Sequence, residues 1–222
     1  MANQEIKEVP PIPTIKTQLG DVRPDLIDVQ TNVFEWDTYR WEKSTTLPTE
    51  WTMFDVPING IGSGFAVAKD IGETSLRQSK VFRNMFAINA IHIEYYMTAN
   101  AYQTKNCVEY LLNLIKDTTI EIKRGATIVM PEKHVSMFGS ANGLSPKIIP
   151  TDMTYVTNGW VDVNNYLVLP QAISFFRGET IEVKMRRNQN NAVLAAASPG
   201  DQGTGFYYVK VVFRGTRSRN PQ

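Results

Sequence analysis

FAINAIHIEYYM, residues 86–97, decides the fold. It is rich in β-branched and aromatic residues, holds no proline or glycine, and alternates apolar with polar positions as a half-buried strand does. Phe86 and Ile88 share one parity, whereas Ile91, Ile93, Tyr95 and Met97 share the other. The switch near Asn89-Ala90 predicts a β-bulge there, or a bend where the strand leaves one sheet for another.

Downstream, one helix is expected over about 107–116. Val108, Leu111, Leu112 and Ile115 fall at i, i+3, i+4 and i+7. Asn106 and Glu109 have the spacing of a capping box ahead of it. Strands then return. TTIEIK (118–123) points Ile120 and Ile122 inward and Glu121 and Lys123 outward, and ATIVMP follows the Arg124-Gly125 turn. HVSMF (134–138) reads as a short strand and GSANGLSP (139–146) as a loop. TYVTNGWVDV, YLVLP (166–170) and AISFF are extended. TIEVKM (180–185) buries Ile181, Val183 and Met185. Residues 188–204 form a long loop. The closing strand, GFYYVKVVFRG, directs Tyr207, Val209, Val211 and Phe213 to one face.

Upstream, WTMFDVPI (51–58) reads as a strand that stops at Asn59-Gly60, and GFAVAK resumes extended character after a glycine turn. Residues 1–48 read as an N-terminal arm. Pro10, Pro11 and Pro13 stand close together, and proline cannot donate to a sheet or helix interior, so an extended polyproline-like path is expected. Phe34, Trp36, Tyr39 and Trp41 cluster behind it and need cover, on this chain's body or on a neighbour's. About eight to ten half-buried strands and one short helix make an all-β sandwich or closed barrel over 49–222.

Composition excludes several classes. The chain has 222 residues, 42% of them hydrophobic and 20% charged, which suits one globular domain and not a disordered chain. Its net charge of +1 lacks the basic excess of a dedicated nucleic-acid binder. One cysteine, Cys107, permits no internal disulfide and suits synthesis in a reducing compartment. MANQEIKEVP is not a secretory signal, and no apolar run approaches the ~18–20 residues of a membrane span. The ends differ in sign. Residues 1–50 carry nine acids and five bases, whereas a basic tail from about 214 holds Arg214, Arg217 and Arg219 and no acid. Opposite ends on a near-neutral chain suit self-association, or are two solvated tails.

No local constellation points to catalysis. Gly60-Ile-Gly-Ser-Gly64 lacks the third glycine of a dinucleotide fingerprint, the Lys of a P-loop and the spacing of a nucleophile elbow, so it reads as a turn. Two distant histidines, His92 and His134, and one cysteine give no metal-ligand spacing. His92 is expected at a surface or interface. Glu179 and Glu182 have opposite strand parity, and Glu182 with Lys184 is the wet face of a strand. The tail's basic charges would give nucleic acid only weak, salt-sensitive contact.

The segments FDVPINGIGSGFAVAKDIGETSLRQSKVFRNMFAINAIHIEY (54–95), TTIEIKRGATIVMP (118–131) and YLVLPQAISFFRGETIEVKM (166–185) resemble the jelly-roll capsid proteins of tailless, membrane-containing icosahedral bacteriophages and related viruses. The shared pattern is Leu169, Pro170, Ile173, Gly178, Glu179, Ile181 and Val183, then VKVVFRGTRSR with Gly215 and Arg217. The resemblance covers about three quarters of the chain in structural patterns of a barrel. It implies a single jelly roll, a major capsid protein without cofactor or catalysis, made in the host cytoplasm and carried in the virion. Its partners would be copies of itself in capsomers, other capsid or vertex proteins and an internal lipid membrane, with no specific nucleic-acid site. Pro10, Pro11, Pro13, Arg214, Arg217 and Arg219 are then the candidate inter-subunit contacts. Two fused barrels would need about sixteen strands; a compact double barrel is the alternative to one. The rival readings are a vertex, spike or glycan-binding module, with Tyr155 and Trp160 as candidate stacking rings, and an enzyme on a β-sandwich.

Overall fold

The structure is a computed structural model that describes residues 16–17, 20–21, 28–42, 45–97, 105–138, 144–148, 154–158, 167–195 and 205–219. The chain is mostly β. Two short strands, β1 (Lys16–Thr17) and β2 (Gly20–Asp21), pair with each other. Eight longer ones follow: β3 (Asp28–Glu42), β4 (Glu50–Met53), β5 (Met85–Met97), β6 (Thr118–Arg124), β7 (Thr127–His134), β10 (Leu167–Phe175), β11 (Ile181–Arg187) and β12 (Phe206–Arg219). They form two antiparallel four-stranded sheets, ordered β10-β5-β12-β3 and β4-β11-β6-β7. Strands β8 (Leu144–Ile148) and β9 (Thr154–Asn158) make a separate hairpin. Helix α1 (Lys105–Asp117) joins β5 to β6, and a short helix α2 (Ala192–Ala195) lies between β11 and β12.

Both sheets bury their inward parity in one core. In β6 and β11 the alternation is strict, with Ile120, Ile122, Ile181, Val183 and Met185 all fully buried. The inward residues of β12 expected from sequence, Tyr207, Val209, Val211 and Phe213, are fully buried too. Rings bridge the layers. Phe54 stacks on Phe213 at 4.7 Å, Tyr39 of β3 meets Trp51 of β4 at 5.9 Å, and Phe82 meets Phe175 edge-on at 5.5 Å. Each such pair adds about 0.5–1.5 kcal/mol beyond the area it buries.

The parity switch in β5 is a bulge. Arg214 of β12 faces Ala90 and the next residue, Gly215, faces Ile88, which leaves Asn89 as the extra residue. The alternative, a crossing to the other sheet, does not occur, because β5 pairs with β12 on both sides of the bulge. Of the expected arm, 28–42 is an integral strand paired with β12 from Phe206↔Glu42 to Arg219↔Asp28. Trp41 is covered by this chain's own body, packing on Tyr207 at 5.4 Å, whereas Phe34 is 37% exposed. The basic segment from 214 is likewise the last part of β12 and not a loose tail. Pro10, Pro11 and Pro13 lie outside the described residues.

Other expectations are corrected. The strand at 51 ends at Met53, because Phe54 turns into the left-handed region (φ 62°) to donate its N–H to Asp37. Residues 54–84 then run as an irregular loop with isolated bridges, and GFAVAK is no strand. HVSMF is a 3-10 turn over Val135–Met137, and its buried Val135 and Phe138 stand three residues apart, the period of that turn. The expected loop at 139–146 contains the start of β8. YLVLP and AISFF merge into β10 across a bulge between Val168 and Ile173. Helix α1 begins at Lys105, so Asn106 lies inside its first turn and not ahead of it. Its buried face holds Tyr110, Leu111 and Leu114, and Leu112 is exposed, since the stack of Tyr110 on Tyr207 at 5.0 Å sets the rotation.

Candidate functional site

A sandwich of two open sheets has two flanks where edge strands lie side by side, and each must be closed or used. Here the flanks are β3 beside β4 and β10 beside β7. They are treated differently.

The β3 flank is sealed by the loop 54–84. Arg40 N–H donates to Ser63 O at 3.0 Å, Ser75 N–H to Trp36 O at 2.9 Å, and Trp36 N–H to Ser75 Oγ at 2.9 Å. The loop thus takes up edge groups of β3 that would otherwise template another strand. Gly64 comes so close that a Cβ there would lie 1.6 Å from Arg40 O, and its φ is +81°, so only glycine fits. The Arg40 guanidinium lies between Phe65 and Phe206, 4.2 and 4.5 Å from the ring centroids. Beneath, Lys69 Nζ meets Asp37 Oδ1 at 2.8 Å with both side chains fully buried, and Phe54 N–H donates to Asp37 Oδ2 at 2.6 Å. Burial pushes the Asp37 carboxyl up, against the opposing pull of Lys69. Sequence reading misses this pair. The available signal is Asp37 on the parity of Tyr39 and Trp41, but nothing local marks Lys69, 32 residues away, as its partner.

The β10 flank has no such backbone seal among the described residues. Between β7 and β10 runs a groove of about 490 Å³, lined mainly by Val129, Met130, Leu167, Leu169 and Ile173, with Arg124 and Lys133 as its charged lining. Pro131 of β7 and Pro170 of β10 also line it. A proline inside a strand run marks an edge strand, so IVMP and LVLP carry a signal that is lost when they are taken only as strand ends. Met137 of the lining is 54% exposed, whereas Val168, on the strand parity opposite to Leu167 and Leu169, is exposed outside the groove.

The remaining candidates are placed as follows. Arg214 donates from Nη2 to Asn32 Oδ1 at 2.8 Å, and Arg217 pairs with Glu35, so both hold β12 to β3 of the same chain. Arg219 faces Asp28 in the same register. Replacing Arg217 with Gln is therefore expected to lower the isolated chain's stability by about 1–3 kcal/mol, because it strips the buried Glu35 of its charged partner. Urea denaturation measures this; an unchanged midpoint with lost self-association would return Arg217 to an inter-subunit role. His92, expected at a surface or interface, is fully buried within this chain, as is Ala90 on the same parity of β5. Its Nε2 is 3.3 Å from Glu94. His134 is exposed at the end of β7. Glu182 and Lys184 lie on the wet face of the second sheet, where Glu50 bonds Arg186 and Lys184 and is held below the usual carboxylate range by them. Glu179 accepts from Phe176 N–H within a turn. Trp160 and the Tyr155 side chain lie outside the described residues. Among the described residues, no three His, Cys, Asp or Glu side chains could hold a metal ion, and no helix is long and apolar enough to cross a membrane.

Compared with known proteins, the chain matches no family model, no curated protein and no solved structure.

Proposed function

We propose that the chain is a single jelly roll and a structural protein of an icosahedral viral capsid, its copies standing side by side as the major shell protein. The observation that carries this is the strand order. Counting the eight long strands in chain order as one to eight, the sheets read 1-8-3-6 and 2-7-4-5. First pairs with eighth, second with seventh, third with sixth and fourth with fifth, the pairing of an antiparallel ribbon rolled into two Greek keys.

That fold also serves lectins and cupins, so function needs a second argument. The quoted pattern falls on strands that close this roll: Leu169, Pro170 and Ile173 on β10, Ile181 and Val183 on β11, Gly215 and Arg217 on β12. One flank is sealed and the other is an apolar groove, which suits a subunit whose sides meet neighbours. Near-zero net charge keeps repulsion between packed copies small. The protein would then reside in the virion, with copies of itself, other capsid or vertex proteins and an internal membrane as neighbours, and would have no catalytic role.

Light scattering and electron microscopy of the purified full chain test it. Capsomer-sized multimers or shells are expected, since obligate interfaces commonly bury about 2,000 Å² or more. A strictly monomeric species at high concentration, with no shells from the native source, overturns it. Abundance in purified particles separates the roles: a dominant amount marks the major shell protein, a trace amount a vertex or spike.

A further inference from the structure

We infer that the β7/β10 groove receives the loop 60–73 of a second copy, so that subunits join head to tail. This rests on the self-assembly reading and names its contact. Ile61, Val67 and Ile71 are 70%, 63% and 62% exposed, and all three lie on the loop that seals β3. Three large aliphatics exposed on one loop offer apolar side chains for a partner to bury. The loop is not slack. Asn59 N–H donates to Lys69 O and Lys69 N–H to Gly60 O, both at 2.9 Å, and the buried Lys69–Asp37 pair pins it to β3. It is presented already ordered, which reduces the entropy lost on docking.

The groove lies on the opposite flank, at the far edge of the same sheet. Its prolines, Pro131 and Pro170, remove backbone donors from both edge strands, which disfavours a partner that adds as a β-strand. A loop bearing aliphatic side chains meets no such obstacle. Charge agrees. Within 60–73 the only base, Lys69, is neutralised by Asp37, which leaves Asp70 and Glu73 as its net charge. The groove offers Arg124 and Lys133 and no acid among its lining residues. A contact between two different flanks is heterologous, and repeats of it close into rings or extend across a shell.

Two full-length variants test this, each carrying Cys107→Ser, one with Val67→Cys and the other with Met137→Cys, since Met137 lines the groove and is 54% exposed. The two positions lie on opposite flanks, roughly three strand spacings or 14 Å apart, too far for a disulfide within one chain. Under oxidation the mixture is expected to form a cross-linked dimer that neither variant forms alone. Val67→Asp and Met137→Asp, both at exposed positions, are each expected to abolish assembly with the monomer's unfolding midpoint unchanged. If the chain assembles but 67 and 137 do not cross-link and both Asp variants assemble normally, this contact is wrong and the capsid reading stands. Cross-linking of Pro11→Cys to position 137 in place of Val67→Cys assigns the groove to the proline-rich segment and also overturns it. A chain that never assembles overturns both readings.

Discussion

Replacing Asp37 with Leu is expected to lower the unfolding free energy by about 3–5 kcal/mol, because it strands the Lys69 ammonium in the core. Lys69 is fully buried, and its Nζ pairs with Asp37 at 2.8 Å. Asp37 in turn accepts the N–H of Phe54, the residue whose left-handed backbone ends β4. One carboxylate therefore fixes where a strand stops and where the sealing loop crosses β3. Lys69→Met should cost a similar amount by the reverse route, leaving a buried carboxylate without its cation. The double variant Asp37→Leu/Lys69→Met should recover most of the loss. Burial already drives the Asp37 carboxyl upward despite Lys69, so desolvation outweighs attraction, and an apolar pair escapes that cost. Urea denaturation of the four chains gives the cycle. A single variant within about 1 kcal/mol of the parent would mean that water reaches the pair and that the loop is held by its backbone bonds alone.

What is legible in the sequence follows the range of the interactions. Strand parity is local, so the inward faces of β6, β11 and β12 are readable from alternation alone, and the bulge in β5 from a break in it. The helix is readable from its period, but its buried face is not, because Tyr110 is turned inward by Tyr207, a residue nearly a hundred positions away. The loop 54–84 has no period. Its path depends on Asp37, Trp36 and Arg40, all on β3, and a segment that looks like an arm offers no reason to search there. For the same reason Arg214 and Arg217 look like a tail facing neighbours: each is bonded to a residue 182 positions earlier. The β10 flank is half legible. Its prolines stand in plain view, but that β7 and β10 lie side by side follows only from the strand order.

Gly215→Ala is expected to cost about 3 kcal/mol or more, the upper range for forcing atoms into a packed interior. Gly215 sits in β12 between β3 and β5, just past the bulge made by Asn89. A Cβ there would stand 2.0 Å from Ala87 O and 2.9 Å from Phe86 Cζ. The ring could turn aside, but the carbonyl belongs to the paired strand and cannot move without opening the β5–β12 ladder. That ladder joins the two middle strands of the sheet β10-β5-β12-β3. Beyond it lies Arg217, held by Glu35, so a displaced strand loses that pair as well. Gly125→Ala is the control. Gly125 has φ +56°, and a Cβ there would meet nothing within 4 Å, so it should lose only about 1–2 kcal/mol of backbone strain. Gly215 does not sit at positive φ, so its loss comes from the clash without that strain and is expected to exceed the loss at Gly125. If Gly215→Ala unfolds no more easily than Gly125→Ala, the strands are farther apart at this point than their register requires. The pairing of Gly215 with Ile88, and the strand order built on it, would then have to be redrawn.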